Sequence, residues 1–180
     1  ALNCRLLLDK ISIFRNNGEL DRNYVFSYNR NPLPPKNSSS TDHWGYYNVN
    51  SKSTSDQTFH YAPSYYRTYR NSEGQIQTGI WKGINKNSCS DRSQYGVLTS
   101  IKFPTGAETH FEYELNDFSN GFKDSADSLI RSGGGLRIKT ICDLSDKGDT
   151  ISVRTFAYTD ETGKSSGTLM SVPEYHYKVT

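Results

Sequence analysis

Ile138-Lys-Thr-Ile-Cys-Asp-Leu-Ser-Asp-Lys-Gly-Asp-Thr-Ile-Ser-Val-Arg-Thr-Phe-Ala-Tyr158 decides the fold, because it holds an apolar run, a Gly-containing turn and a return run ending in Phe-x-Tyr. The same shape runs from Leu8-Asp-Lys-Ile11 to Phe26-Ser-Tyr28 and from Leu98-Thr-Ser-Ile101 to Phe111-Glu-Tyr113. In the first and third copies the register is shared: Ile11 to Gly18 and Ile141 to Gly148 are each 7 residues, and Gly18 to Tyr28 and Gly148 to Tyr158 are each 10. The turns Asn16-Asn17-Gly18, Pro104-Thr105-Gly106 and Asp146-Lys147-Gly148-Asp149 supply positive φ or local Asx hydrogen bonds, which suit hairpins rather than helix connections. Alternation puts Tyr24, Phe26 and Tyr28 on one strand face, with Phe111 and Tyr113 and with Phe156 and Tyr158 repeating the pattern, so these rings are the expected core stripe. The sequence therefore predicts an all-β, mainly antiparallel meander of β-hairpins, forming a curved sheet or sandwich with little helix.

The composition agrees. Hydrophobic residues are only 33% of the 180, but 13 Tyr and 8 Phe move apolar area onto aromatics, which carry large burial and suit pleated surfaces. The length fits a single β-domain over 1–180, and the strand-like character of both ends reads as a segment excised from a longer chain. A formal net charge of +2 gives no strong field to steer phosphates, so nucleic acid is not an expected partner. No apolar run is long enough for a membrane span in this segment. Cys4, Cys89 and Cys142 form an odd set without C-x-x-C spacing, leaving at most one bridged pair, and no cofactor is implied.

Between the first two copies, residues 29–95 form an insertion rich in Ser, Asn, Tyr and Pro. It opens with Asn31-Pro-Leu-Pro-Pro35-Lys-Asn-Ser-Ser-Ser40, where proline disfavours helix and central strand. So long a connection needs some structure of its own, and short strands or a helical turn are expected within Phe59 to Tyr69 and Gln75 to Trp81. A second insert, Asp117 to Gly135, contains the one window for a short helix, Asp124 to Arg131.

Gly96-Val-Leu-Thr-Ser-Ile-Lys-Phe-Pro-Thr-Gly106 followed by Thr109-His-Phe-Glu-Tyr-Glu114 resembles the YD-repeat, or Rhs-like, pattern: a Gly-x-Leu-Thr-x-Ile strand, a Pro-x-Gly turn, and a return strand ending in Tyr and an acid. The match covers about twenty residues; the acid after Tyr is Glu114 here, but Asn29 and Thr159 stand in the other copies. With Asp42-His-Trp-Gly-Tyr-Tyr-Asn48 and Ser132-Gly-Gly-Gly-Leu-Arg-Ile138, the chain looks like a segment of the large surface proteins of Bacteroides-type bacteria that carry such regions. The resemblance implies an exported protein, extracellular or at the cell surface and associated with the outer membrane through flanking segments. It also implies that the repeats are a shell or scaffold without catalytic residues.

The densest cluster with a functional look is Asp42, His43, Trp44, Tyr46 and Tyr47. Aromatic faces there could stack on sugar rings or peptides while the polar groups bond hydroxyls. The plainer alternative is that Trp44 and Tyr46 pin the long loop onto the sheet, with Gly45 allowing close approach. Other strings carry less. Tyr65-Tyr-Arg-Thr-Tyr-Arg70 has the composition of a single-strand nucleic-acid platform but also of an ordinary strand. Gly163-Lys-Ser165-Ser-Gly167 lacks the strand and helix of a nucleophile elbow and reads as a surface turn. Gly133-Gly-Gly135 reads as a bend or bulge where a strand starts. Asp143, Asp146 and Asp149 are turn chemistry without EF-hand spacing, and His43, His60, His110 and His176 share no zinc-like spacing. Glu112 and Glu114 would sit on one strand face about 7 Å apart, compatible with glycoside hydrolysis but commoner as solvated acids.

The expected role is a structural or adhesive module of a large exported surface protein, not an enzyme, partnered by neighbouring segments of the same long chain. A carbohydrate- or peptide-binding module using residues 42–48, with a glycan or protein ligand, is the first alternative and requires Trp44 and Tyr47 exposed in a groove. A hydrolase is the second and requires converging ionisable groups with perturbed pKa values.

Overall fold

The computed structural model describes residues 4–48, 62–81, 83–123 and 129–175. The chain is mainly antiparallel β. Its elements are β1 (Lys10–Phe14), β2 (Leu20–Tyr28), β3 (Tyr65–Arg70), β4 (Ile76–Trp81), a single helical turn α1 (Ser90–Ser93), β5 (Leu98–Lys102), β6 (Glu108–Lys123), β7 (Leu129–Leu144) and β8 (Thr150–Thr155). Six strands form one open sheet in the order β1-β2-β5-β6-β7-β8, and β3 and β4 pair separately. The three repeated segments are the three hairpins β1-β2, β5-β6 and β7-β8, laid side by side in chain order. Among the described residues the sheet is a single open layer and not a sandwich.

One turn geometry recurs. Gly18 N donates to Arg15 O, and Arg15 N to Glu19 O; the same pair of bonds links Phe103, Gly106 and Ala107, and Ser145, Gly148 and Asp149. Each glycine sits at a φ of 81°, 90° and 86° respectively, the left-handed position of a three-residue hairpin loop closed by a glycine bulge. The β3-β4 hairpin repeats it at Asn71, Gly74 and Gln75, and the segment after β8 repeats it at Asp160, Gly163 and Lys164. Gly163 is therefore a hairpin-turn glycine, and the Gly163 to Gly167 string is a turn with its return arm.

The insertion leaves the sheet at β2 and returns at β5, its neighbour. Its ends are tied together, since Asn29 N donates to Val97 O and Gly96 N to Asn29 O, each at 2.9 Å. Strands form within both stretches where they were expected, at β3 and β4. The window read as open to a short helix, Asp124 to Arg131, holds none among its described residues: 124–128 lie outside them, Leu129 to Arg131 belong to β7, and the helical turn that is described, α1, lies in the first insertion instead. The apolar positions Leu129 and Ile130 alternate in exposure as a strand requires.

The core is displaced from the expected stripe. Phe26 and Phe111 are only half-buried and Phe156 is exposed, because no second layer among the described residues covers that face of the sheet. Among the described residues the buried apolar side chains are Phe118, Phe122 and Ile130. They lie on the distal halves of β6 and β7, beyond the reach of β5 and β8, whose pairing stops at His110 and Thr140. There the two long strands form a two-stranded arm that needs a cover from elsewhere in the chain.

Candidate functional site

The cover is the aromatic loop of the insertion. Asp42 builds it: the side chain is almost fully buried, and Oδ1 accepts from the backbone N of Trp44 and of Tyr46, each at 2.9 Å, while Oδ2 accepts from the Ser88 hydroxyl at 2.5 Å. A carboxylate that collects successive backbone N–H groups fixes a tight turn, as an Asx turn does. Tyr46 O in turn accepts from Asp42 N, and a bridge pairs Thr41 with Tyr47. Buried Asn48 closes the base by donating to the carbonyls of Asn85 and Asn87. Lys86 is also buried, with Nζ donating to Thr41 Oγ1 at 3.2 Å. Its removal from water pushes the ammonium pKa below the ordinary lysine value, against the pull of the Asp42 charge.

The rings projected by this loop meet the glycine run of β7. Leu115 pairs with Leu136 and Asp117 with Ser132, so Asn116 alone faces the three residues Gly133, Gly134 and Gly135. The bulge therefore lies inside β7, not where the strand starts. All three glycines have positive φ. A Cβ on Gly133 would collide with the Trp44 ring and stand 2.5 Å from Ser88 Oγ; one on Gly135 would stand 2.6 Å from the Tyr46 hydroxyl. The glycines are the socket for the aromatic loop. Trp44 packs against Phe118 and Phe122 with ring centroids 6.1 and 6.3 Å apart, and His43 sits 5.4 Å from Phe122, edge to face. His43 Nδ1 and the Tyr175 hydroxyl are 2.9 Å apart.

Asp42, His43, Trp44, Tyr46 and Tyr47 thus share one loop but not one binding face. Trp44 lines a groove of about 440 Å³ with Asn116, Asp117, Arg137 and Tyr158. Tyr46 and Tyr47 line a different groove of about 260 Å³. Neither Trp44 nor Tyr47 is fully buried.

Beside the Trp44 groove lies an ion network. Arg137 bonds Glu114 at 2.7 Å and Asp117 at 2.8 Å, and its guanidinium stands 4.3 Å from the Tyr158 ring centroid. Ser165 Oγ donates to Asp117 Oδ1 at 2.5 Å. Partial burial pushes the Asp117 carboxyl up, but the Ser165 hydroxyl and Arg137 outweigh it and hold the group below the ordinary value. Glu114 is thereby committed to an ion pair, while Glu112 is exposed.

The remaining sequence candidates are scattered. Asp143 accepts from Thr109 and Ser152, each at 2.7 Å, and pairs with Arg154; these partners lower its pKa. Among the described residues no group of three or more His, Cys, Asp or Glu is placed to hold a metal ion, and Cys4, Cys89 and Cys142 are free thiols. His60 and His176 lie outside the described residues. In β3, Tyr66 and Tyr69 are exposed, so the strand does not pack one clean face. No described helix is long and apolar enough to cross a membrane. Sequence reasoning missed Ser88 and Lys86 as partners of the loop, since nothing in their local pattern marks them. The pairing of three consecutive glycines with a Trp-Gly-Tyr-Tyr string was a usable signal. Comparison with family models, curated proteins and solved structures finds no match for this chain.

Proposed function

We propose that the chain is a structural or adhesive module of a large exported surface protein, pairing with neighbouring segments of the same long chain and carrying no catalysis of its own. The observation that supports this reading is the state of the two sheet edges. Among the described residues β1 and β8 each pair on one side only. Edge strands usually carry charges, prolines or bulges that deter pairing. Here β1 carries Lys10 and a register shift at Ile13/Phe14, and β8 carries Arg154, yet β1 also presents Ile11, Ile13 and Phe14 at 42%, 41% and 61% exposure, and β8 presents Ile151 and Val153 at 66% and 58%. Exposed apolar side chains on open edges favour docking of a further strand or sheet, which suits an extended shell of repeated hairpins at the cell surface. The test is amide hydrogen exchange of β1 and β8 across a concentration series. Protection that rises with concentration at these strands, while β6 stays constant, supports the reading; edge exchange that does not change with concentration contradicts it.

A second reading, a carbohydrate- or peptide-binding module, is favoured by the partly buried Trp44 lining a groove beside Asn116, Asp117 and Arg137. The density of bonds holding the loop in place favours pinning as its first role.

A further inference from the structure

The smaller groove has a chemistry of its own. Its walls are the proline strap of the insertion, Leu33 to Lys36, the aromatic loop at Tyr46 and Tyr47, and α1 with Tyr95. Three cations line it, Arg5, Lys36 and Arg92, and among the described residues no carboxylate does. In a chain whose net charge is only +2, three cations around about 260 Å³ is a local asymmetry. The guanidinium of Arg92 is held in place, bonded to the Tyr95 hydroxyl and lying 5.0 Å from that ring's centroid. Asp91, itself exposed, pairs with Arg92 only at 3.7 Å through Nε. Arg5 is held on the strap by donation to Pro34 O at 2.9 Å. Guanidiniums fixed in advance lose little freedom when they grip a carboxylate.

The rest of the wall selects a ring. Tyr47 and Tyr95 pack edge to face at 5.6 Å and Tyr46 is exposed beside them, so the groove offers aromatic surface; the Tyr46 hydroxyl is turned to Gly135 and the Tyr95 hydroxyl is bonded to Arg92. Pro34 and Pro35 have no N–H, so this wall cannot add an extended peptide as a further strand. Ser93, at 5% exposure, stands in the wall, and among the described residues its hydroxyl has no hydrogen-bond partner.

We propose that this groove binds a sugar acid, a single pyranose ring bearing a carboxylate, with Lys36, Arg5 and Arg92 taking the carboxylate and the tyrosines taking the ring. This goes beyond the scaffolding role and does not depend on it, since a monomer presents the whole groove. A ligand of about a dozen heavy atoms in an open groove binds with Kd on the order of 1 mM. The test is a titration of the chain with galacturonate, glucuronate, galactose, inorganic sulfate and a short Asp/Glu peptide, followed by NMR of the tyrosine ring protons. Saturable binding of a uronate, at least about fivefold weaker in Lys36→Gln and in Arg92→Gln with folding checked by circular dichroism, is the expected result. Lys36 is exposed on the strap, so its variant keeps the fold even if the Arg92 variant does not. No uronate binding, equal binding of galactose, equal binding of sulfate, or tighter binding of the acidic peptide would each overturn the proposal.

Discussion

The Tyr158 hydroxyl donates to the Ile138 carbonyl at 2.7 Å, reaching back across its whole hairpin to the residue where the copy begins. Tyr28 does the same to Leu8 at 3.0 Å, and in both copies the Phe two residues before the Tyr donates its backbone N to the residue after that carbonyl, Asp9 or Lys139. The final Tyr of Phe-x-Tyr is thus a clasp that sets hairpin length, and the shared register in sequence is the trace of it.

Tyr158→Phe removes the part-buried clasp while keeping the ring over Arg137, and costs about 1 kcal/mol in urea unfolding. Tyr28→Phe, at a longer and more exposed bond, costs less. The two lie in hairpins on opposite sides of the sheet, so the double variant is additive within about 0.5 kcal/mol.

Gly133→Ala and Gly134→Ala differ in backbone strain, with φ of 141° and 73°, as well as in the socket, so the Trp44 emission and not the stability difference alone reports the socket. Both positions have positive φ, but a Cβ at 134 meets Trp44 at a normal 3.7 Å, whereas one at 133 overlaps the ring. Gly134→Ala costs on the order of 1 kcal/mol from backbone alone. Gly133→Ala costs more than about 2 kcal/mol and shifts Trp44 emission to the red in a Trp81→Phe background.

The hairpins were legible because each copy carries its own turn glycine and its own alternation, signals that are local. The seat of the core was not. Phe26 and Phe118 look alike in sequence, and only the reach of β6 and β7 past their neighbours, together with the return of the Asp42 loop, makes one half-exposed and the other buried. The site residues were found as a cluster because Trp and Tyr are dense there. Their division between two grooves follows from the turn that Asp42 imposes, which depends on Ser88, 46 residues further along the chain.

Buried Lys86 gives the loop a pH dependence. Its folded pKa lies below the unfolded one, so between the two the unfolded chain holds more protons. Stability from this group rises with pH through the alkaline range and levels off above about 10.4. Thermal unfolding between pH 8 and 10.5 reads this slope, and Lys86→Met flattens it.

Asp117 acts in the opposite range. Its folded pKa is below the unfolded value, so its contribution is present above about pH 4 and is lost as the pH falls further through the folded pKa. Asp117→Asn weakens the hold on Arg137 and Ser165 at neutral pH and shrinks the difference from the parent chain in acid, as followed by circular dichroism.

Sedimentation equilibrium of the chain, beside a variant carrying Ile13→Lys and Val153→Lys, tests the central claim most directly. These changes charge one exposed position on each open edge strand without touching the Phe118 core. The account predicts that the parent self-associates reversibly as concentration rises and that the charged variant stays monomeric with the same circular dichroism. A parent that remains monomeric at high concentration, or a variant that associates equally well, would contradict it.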